Sequence, residues 1–128
     1  MWGLDRQLDE PNGQGATALH LAATHGHVDV ATLLLQQGAR VNAATRSGTL
    51  AAHIAAYQGH VDVLGGLQQA GADFAARDER GNTSLHHAAA GGNFQAVAFL
   101  VQGLPTSVLD TENADEQTAS VLAAANGY

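Results

Sequence analysis

The stretch Thr17-Ala18-Leu19-His20-Leu21-Ala22-Ala23-Thr24-His25-Gly26-His27-Val28-Asp29-Val30 returns 33 residues later as Leu50-Ala51-Ala52-His53-Ile54-Ala55-Ala56-Tyr57-Gln58-Gly59-His60-Val61-Asp62-Val63, and again, blurred, from Thr83. In this register Gly15 falls on Gly48 and Gly81, His20 on His53 and His86, Ala22-Ala23 on Ala55-Ala56 and Ala88-Ala89, and Gly26 on Gly59 and Gly92. Residues 15–47 and 48–80 agree at fifteen of 33 positions, far above chance. A fixed period of this length means stacked supersecondary units whose core lies between neighbours, and about three units are needed for such a stack to be stable. Three are present.

Each copy reads as two helices and a connector. Thr17 precedes an Ala/Leu run and is placed to cap it, its hydroxyl accepting an amide hydrogen bond. Leu19, Ala22 and Ala23 follow at i, i+3, i+4 spacing, and the paired alanines permit close approach of a neighbouring helix. Gly26 supplies the left-handed residue that ends this inner helix. A second, outer helix is predicted from about Val28 to Gln37, with Val28, Ala31, Leu34 and Leu35 on one stripe and Asp29 in the first turn, where the helix dipole favours a carboxylate. Gly38 ends it. The segment from Ala39 to Gly48 is too polar and short for another helix, and Ser47-Gly48 is a turn signal, so it reads as an extended, hairpin-like connector.

The pattern resembles the ankyrin repeat, whose signature runs Gly-x-Thr-Pro-Leu-His-x-Ala-Ala, then Gly-His, Leu-Leu, Gly-Ala and Val-Asn. The first copy carries Thr17, Leu19-His20, Ala22-Ala23, Gly26-His27, Leu34-Leu35, Gly38-Ala39 and Val41-Asn42, with Ala18 in place of Pro. The second departs at Leu50-Ala51-Ala52 and at Gly65-Gly66, which costs its outer helix about 1 kcal/mol per glycine relative to Ala and makes it the expected softest element. The third keeps Thr83, Leu85-His86 and Ala88-Ala89 but ends at Gly103-Leu104-Pro105, where Pro denies continuation; a longer connector follows. The expected organisation is an all-α solenoid of helix-turn-helix units forming one domain over 1–128: a partial unit at 1–14, copies at 15–47, 48–80 and 81–115, and a partial unit at 116–128. Leu8-Asp9 stands 33 residues before Val41-Asn42, and Thr118, Leu122 and Ala123-Ala124 repeat the inner-helix pattern after a two-residue insertion. The ragged ends read either as cuts in a longer chain or as natural caps, with Trp2 folded back over the first inner helix.

Bulk properties narrow the function. Only 13% of residues are charged and 5% aromatic, which suits helices packed through small side chains. All five basic residues are Arg against twelve acids, and the formal charge of -7 argues against phosphate-driven nucleic-acid binding. The absence of Cys removes disulfides and thiolate metal sites and is compatible with the cytosol. No apolar run approaches the roughly 18 residues of a membrane span, and the start Met1-Trp2-Gly3-Leu4-Asp5-Arg6 lacks the basic flank and apolar stretch of a signal peptide. A cytoplasmic or nuclear protein, acting as a monomer or as part of a longer chain, is the expectation.

Seven His residues invite a metal or catalytic reading. His20, His53 and His86 share one repeat position, where the resemblance implies rings bonded to turn backbone; His27 and His60 recur after the helix-ending Gly and read as turn residues. His25 and His87 do not recur, and neither the His25/His27 nor the His86/His87 spacing matches the i, i+4 pair of helical zinc sites. No metal or cofactor is expected. The chain has no Gly-rich phosphate loop after a strand, no Gly-x-Ser-x-Gly elbow and no Cys nucleophile, so it reads as a non-enzyme. Asp110-Thr111-Glu112-Asn113-Ala114-Asp115-Glu116 lacks the central Gly and terminal Glu of a calcium loop and reads as a solvated connector.

What remains is a surface. The resemblance implies that connector tips and the outward ends of inner helices contact a partner protein on a concave face. Carried onto this sequence, those positions are Gln14, Thr24 and His25; Arg46, Ser47, Thr49, Tyr57 and Gln58; and Arg77, Glu79, Arg80 and Asn82. Tyr57 leads, because it stands where the other copies have Thr24 and Ala90, so packing does not require an aromatic there. Arg46, Arg77 and Arg80 place three of the five positive charges near adjacent tips, which points to an acidic spot on the partner. Asn42 reads as a structural connector residue.

Overall fold

A computed structural model describes residues 8–127, so Trp2 lies outside the described residues. Eight helices lie wholly within that range: α1 (Ala18–His25), α2 (Val28–Gln36), α3 (Ala51–Gln58), α4 (Val61–Gln69), α5 (Ser84–Ala90), α6 (Phe94–Gly103), α7 (Thr106–Leu109) and α8 (Ala119–Ala125). No strand occurs among the described residues. Helices α1, α3, α5 and α8 pack in succession as an inner layer, and α2, α4 and α6 stack as an outer layer, each packed against its own inner helix.

The small side chains explain the close inner stack. Ala23, Ala55, Ala56 and Ala88 have no exposed surface, and Leu64, Leu67 and Leu100 of the outer layer fill the space behind them. Burying each of those leucines is worth about 2 kcal/mol. Gly26 and Gly59 end α1 and α3 with φ of 70° and 77°, and the His60 ring sits where a Cβ on Gly26 would lie, 2.8 Å away. His27 and His60 thus turn the chain as expected, each standing just before an outer helix.

Several local expectations are refined. The α2 helix ends at Gln36, and Gly38 follows with φ 97°. The α4 helix runs unbroken through Gly65-Gly66. Beyond Pro105 the connector contains the short helix α7, for which Pro105 supplies the preceding extended residue. The Thr17 hydroxyl bonds the His20 ring at 3.0 Å. In the third copy the Thr83 hydroxyl reaches the His86 ring at 2.9 Å and accepts from the His86 amide at 3.4 Å.

Candidate functional site: a stepped face of tips and inner helices

The face begins with how the tips are held. Backbone bonds from Asn12 to Ala16, Thr45 to Thr49, Asp78 to Asn82 and Asn113 to Gln117, all 2.9–3.0 Å, close four equivalent turns. At three of them a side-chain carbonyl or carboxylate caps the turn from within. Asn12 Oδ1 accepts from Gln14 and Ala16, Asp78 Oδ1 from Arg80 and Asn82, and Asn113 Oδ1 from Asp115 and Gln117. Thr45 replaces them with its hydroxyl, which accepts from the Thr49 amide and bonds Ser47. Adjacent tips are then tied edge to edge: Arg46 N–H donates to Gln14 O (3.2 Å), Glu79 to Ser47 (3.0 Å) and Ala114 to Arg80 (2.8 Å). The hairpin-like connector is therefore real in its hydrogen bonding.

The histidine ladder locks the tips to the inner helices. His20 Nδ1 accepts the Thr17 amide at 3.0 Å, which leaves its Nε2–H to donate to Thr49 O of the next copy at 2.9 Å. His53 takes the Leu50 amide and reaches Ala76 O at 3.0 Å, and His86 takes the Thr83 amide and reaches Gln117 O at 2.8 Å. Burial pushes all three imidazoles below the ordinary histidine value, against the opposing pull of those carbonyls. They are neutral fasteners between copies. A second set of staples lies beneath: Asp9 accepts from the Arg40 amide and Asn42 from the Asp73 amide, both at 2.9 Å, so Asn42 is a structural connector residue.

Three adjoining depressions run along the resulting face. The first, about 490 Å³, is lined by Asn12, Gln14, Leu21, Thr24, Arg46, Ser47, Thr49 and Ile54 among others. The second, about 290 Å³, shares Thr24, Thr49 and Ile54 with it and adds His53, Tyr57, Gln58 and His87. The third, about 270 Å³, is formed by Ser47, Thr49, Asp78, Glu79, Arg80, Asn82 and His87. Of the twelve residues read from the sequence, ten line this series: Gln14, Thr24, Arg46, Ser47, Thr49, Tyr57, Gln58, Glu79, Arg80 and Asn82.

The remaining two sit differently. His25 is exposed against His27, with ring centroids 5.8 Å apart, and lines none of the three depressions. Arg77 is exposed but lies along the connectors, donating to Glu112 O at 2.7 Å and Gly81 O at 3.2 Å, so its guanidinium ties one connector to the next. Asn113, from the acidic run read as a solvated connector, is buried. Besides capping its turn it donates to Asn82 Oδ1 at 2.9 Å and Gln117 Oε1 at 3.2 Å.

The sequence reading missed a row that the face presents in full. Leu21, Ile54 and His87 occupy one repeat position immediately after the buried histidines, and all three line the depressions. The available signal was their identical register combined with unlike side chains. His87 Nε2–H also donates to Asp78 Oδ2 across 2.9 Å. Burial raises the Asp78 pKa, but the Asn82 amide, the His87 hydrogen bond and charge, and the Arg80 amide outweigh it and leave the carboxyl below its ordinary value. No cluster of three or more His, Asp or Glu side chains suited to a metal occurs among the described residues.

A stack of paired helices joined by edge-tied hairpin turns, with its variable side chains on one face, is the architecture of a repeat-type interaction module. The family model for ankyrin repeats in three copies matches residues 3–78 and 53–128, and the chain belongs to the ankyrin-repeat family, whose repeats are general protein–protein interaction modules and typically non-catalytic. A segment of 40 residues, 31% of the chain, is 48% identical to the probable E3 ubiquitin-protein ligase XBOS33 of Oryza sativa subsp. japonica, and the match covers 8% of that protein. None of the described helices is long and apolar enough to cross a membrane.

Proposed function

We propose that the chain is a non-catalytic protein-binding module that takes its partner on the stepped face of connector tips and inner helices. One observation carries this reading: three contiguous depressions are lined mostly by residues that differ between copies, while the buried histidines that fasten the copies, His20, His53 and His86, are the same in each. Tyr57 is 49% exposed in the middle depression, and a half-exposed aromatic in such a groove is the kind of residue that anchors an interface. The tips at Asn12, Thr45, Asp78 and Asn113 support unit boundaries at 15–47, 48–80 and 81–115 with partial units at 1–14 and 116–128. An intracellular site of action, a protein partner and no nucleic-acid ligand complete the proposal, on the charge of -7 and the absence of Cys.

Affinity capture with the wild-type chain and with the Tyr57→Ala/Arg80→Ala double variant tests it. A specific partner retained by the wild type and lost by the variant supports recognition at this face. A partner held equally by both places recognition elsewhere. A second reading, that the repeats only extend a longer array, draws on the match to a small part of a much larger ligase; it expects no specific capture by either protein. Should a captured partner be an enzyme, loss of its activity in the complex would identify regulation by occlusion.

A further inference from the structure

Charge is distributed unevenly along the face. The chain carries a net -7, yet among the described residues the largest of the three depressions is lined by no carboxylate, and its one permanently charged side chain is Arg46. Arg46 is held at the rim by its amide bond to Gln14 O, while its Cγ lies 3.4 Å from the position of a Cβ on Gly15. Its guanidinium makes no ion pair among the described residues. Across the same depression stand Leu21, 50% exposed, and the half-buried Ile54. Toward the other end the sign reverses: Asp78, Glu79 and Arg80 line the third depression, and exposed Asp115 and Glu116 follow at the next tip.

The geometry points to an extended, acidic and apolar segment of a partner protein as the occupant, seating an aliphatic or aromatic side chain against Leu21 and Ile54 and an Asp or Glu side chain beside Arg46. This rests on the protein-binding reading above. An internal segment fits better than a chain end because the first depression opens into the second through Thr24, Thr49 and Ile54, so the peptide can run on toward Tyr57. The tip amides that could cradle a terminal carboxylate are already used: Gln14 N–H on Asn12, and Arg46 N–H on Gln14. Charge complementarity at such a rim selects partners and speeds their encounter more than it adds affinity, and the apolar contact supplies the binding energy.

The test is selection of a displayed library of random linear peptides on the full chain, followed by fluorescence anisotropy with one enriched peptide. The expected pool pairs Asp or Glu with Leu, Ile, Phe, Tyr or Trp a few residues away. Arg46→Glu and Leu21→Asp should each weaken that peptide by about tenfold, and selection on Arg46→Glu should return Lys or Arg in place of the acid. Both positions are exposed, and an unchanged circular-dichroism melt establishes that the variants fold. Enriched peptides without a carboxylate, or an Arg46→Glu selection identical to the wild type, overturn the inference while leaving the docking role intact. A wild-type selection that enriches nothing also overturns it, and the docking role is then decided by the affinity capture described above.

Discussion

Two rows of side chains one residue apart behave as opposites. His20, His53 and His86 are the same residue in each copy, about 1% exposed, and bonded at both ring nitrogens. Leu21, Ile54 and His87 change from copy to copy and line the open face. A helix turns by about 100° per residue, so a single step carries the chain from the joint between units to the surface a partner meets. The uniform row holds the copies in register, and the varied row can differ because it makes none of the ring-to-backbone bonds that fasten one copy to the next.

The sharpest way to break this contrast is to truncate one member of each row. His53→Ala leaves the Leu50 N–H and the Ala76 carbonyl without partners and opens a cavity in the inner layer, a loss of about 3–4 kcal/mol. His87→Ala removes one hydrogen bond from Asp78, which keeps its two backbone amide partners, and should cost about 1–2 kcal/mol, less than the loss at His53. Urea denaturation followed by circular dichroism measures both. Equal losses would mean that the two rows are not separate in function.

Acid should expose the same division. His20, His53 and His86 have native pKa values below the ordinary 6.5, so between that value and their native pKa the unfolded chain binds more protons than the folded one. Stability is therefore fully present above about pH 6.5 and falls as the pH drops below it, by at most about 1.4 kcal/mol per pH unit for each ring. Asp78 acts in the same direction much lower, its contribution being present above the ordinary 3.8 and lost below it. Urea midpoints measured from pH 7.5 downward should decline through the histidine window, and His53→Ala should decline less steeply. A flat profile would show that the ladder is not held neutral.

The contrast also explains what the sequence could and could not disclose. Helices, turns and the buried histidines were legible because they obey the 33-residue period, and any feature needed in every unit must recur at that spacing. The roles of Arg77 and Asn113 are illegible for the opposite reason. Each looks like a solvated charge or connector residue, but Asn113 is buried and the exposed Arg77 donates to the backbone of the neighbouring connector, contacts that arise only once the tips are tied together. His87 was set aside because it does not recur as histidine. Its position recurs, and for a surface row the position is the signal.

Between the two rows lies one place where a copy departs from the pattern in the core. Ser84 opens α5 with no exposed surface, and its Oγ has no hydrogen-bond partner among the described residues. The same position is Ala51 in the preceding copy and Ala119 in the following unit, both buried. A hydroxyl taken out of water without a partner costs about 1–3 kcal/mol, whereas a methyl of nearly the same shape costs nothing in desolvation. Alanine also has the better helix propensity at a first-turn position. Ser84→Ala should therefore stabilise the chain by about 1 kcal/mol, read as a higher urea midpoint at unchanged slope. Because Ser84 touches neither the tips nor the depressions, capture of a partner should be unaffected. A lower midpoint would mean that the hydroxyl is satisfied in solution and that the third copy is built on a local bond the first two lack.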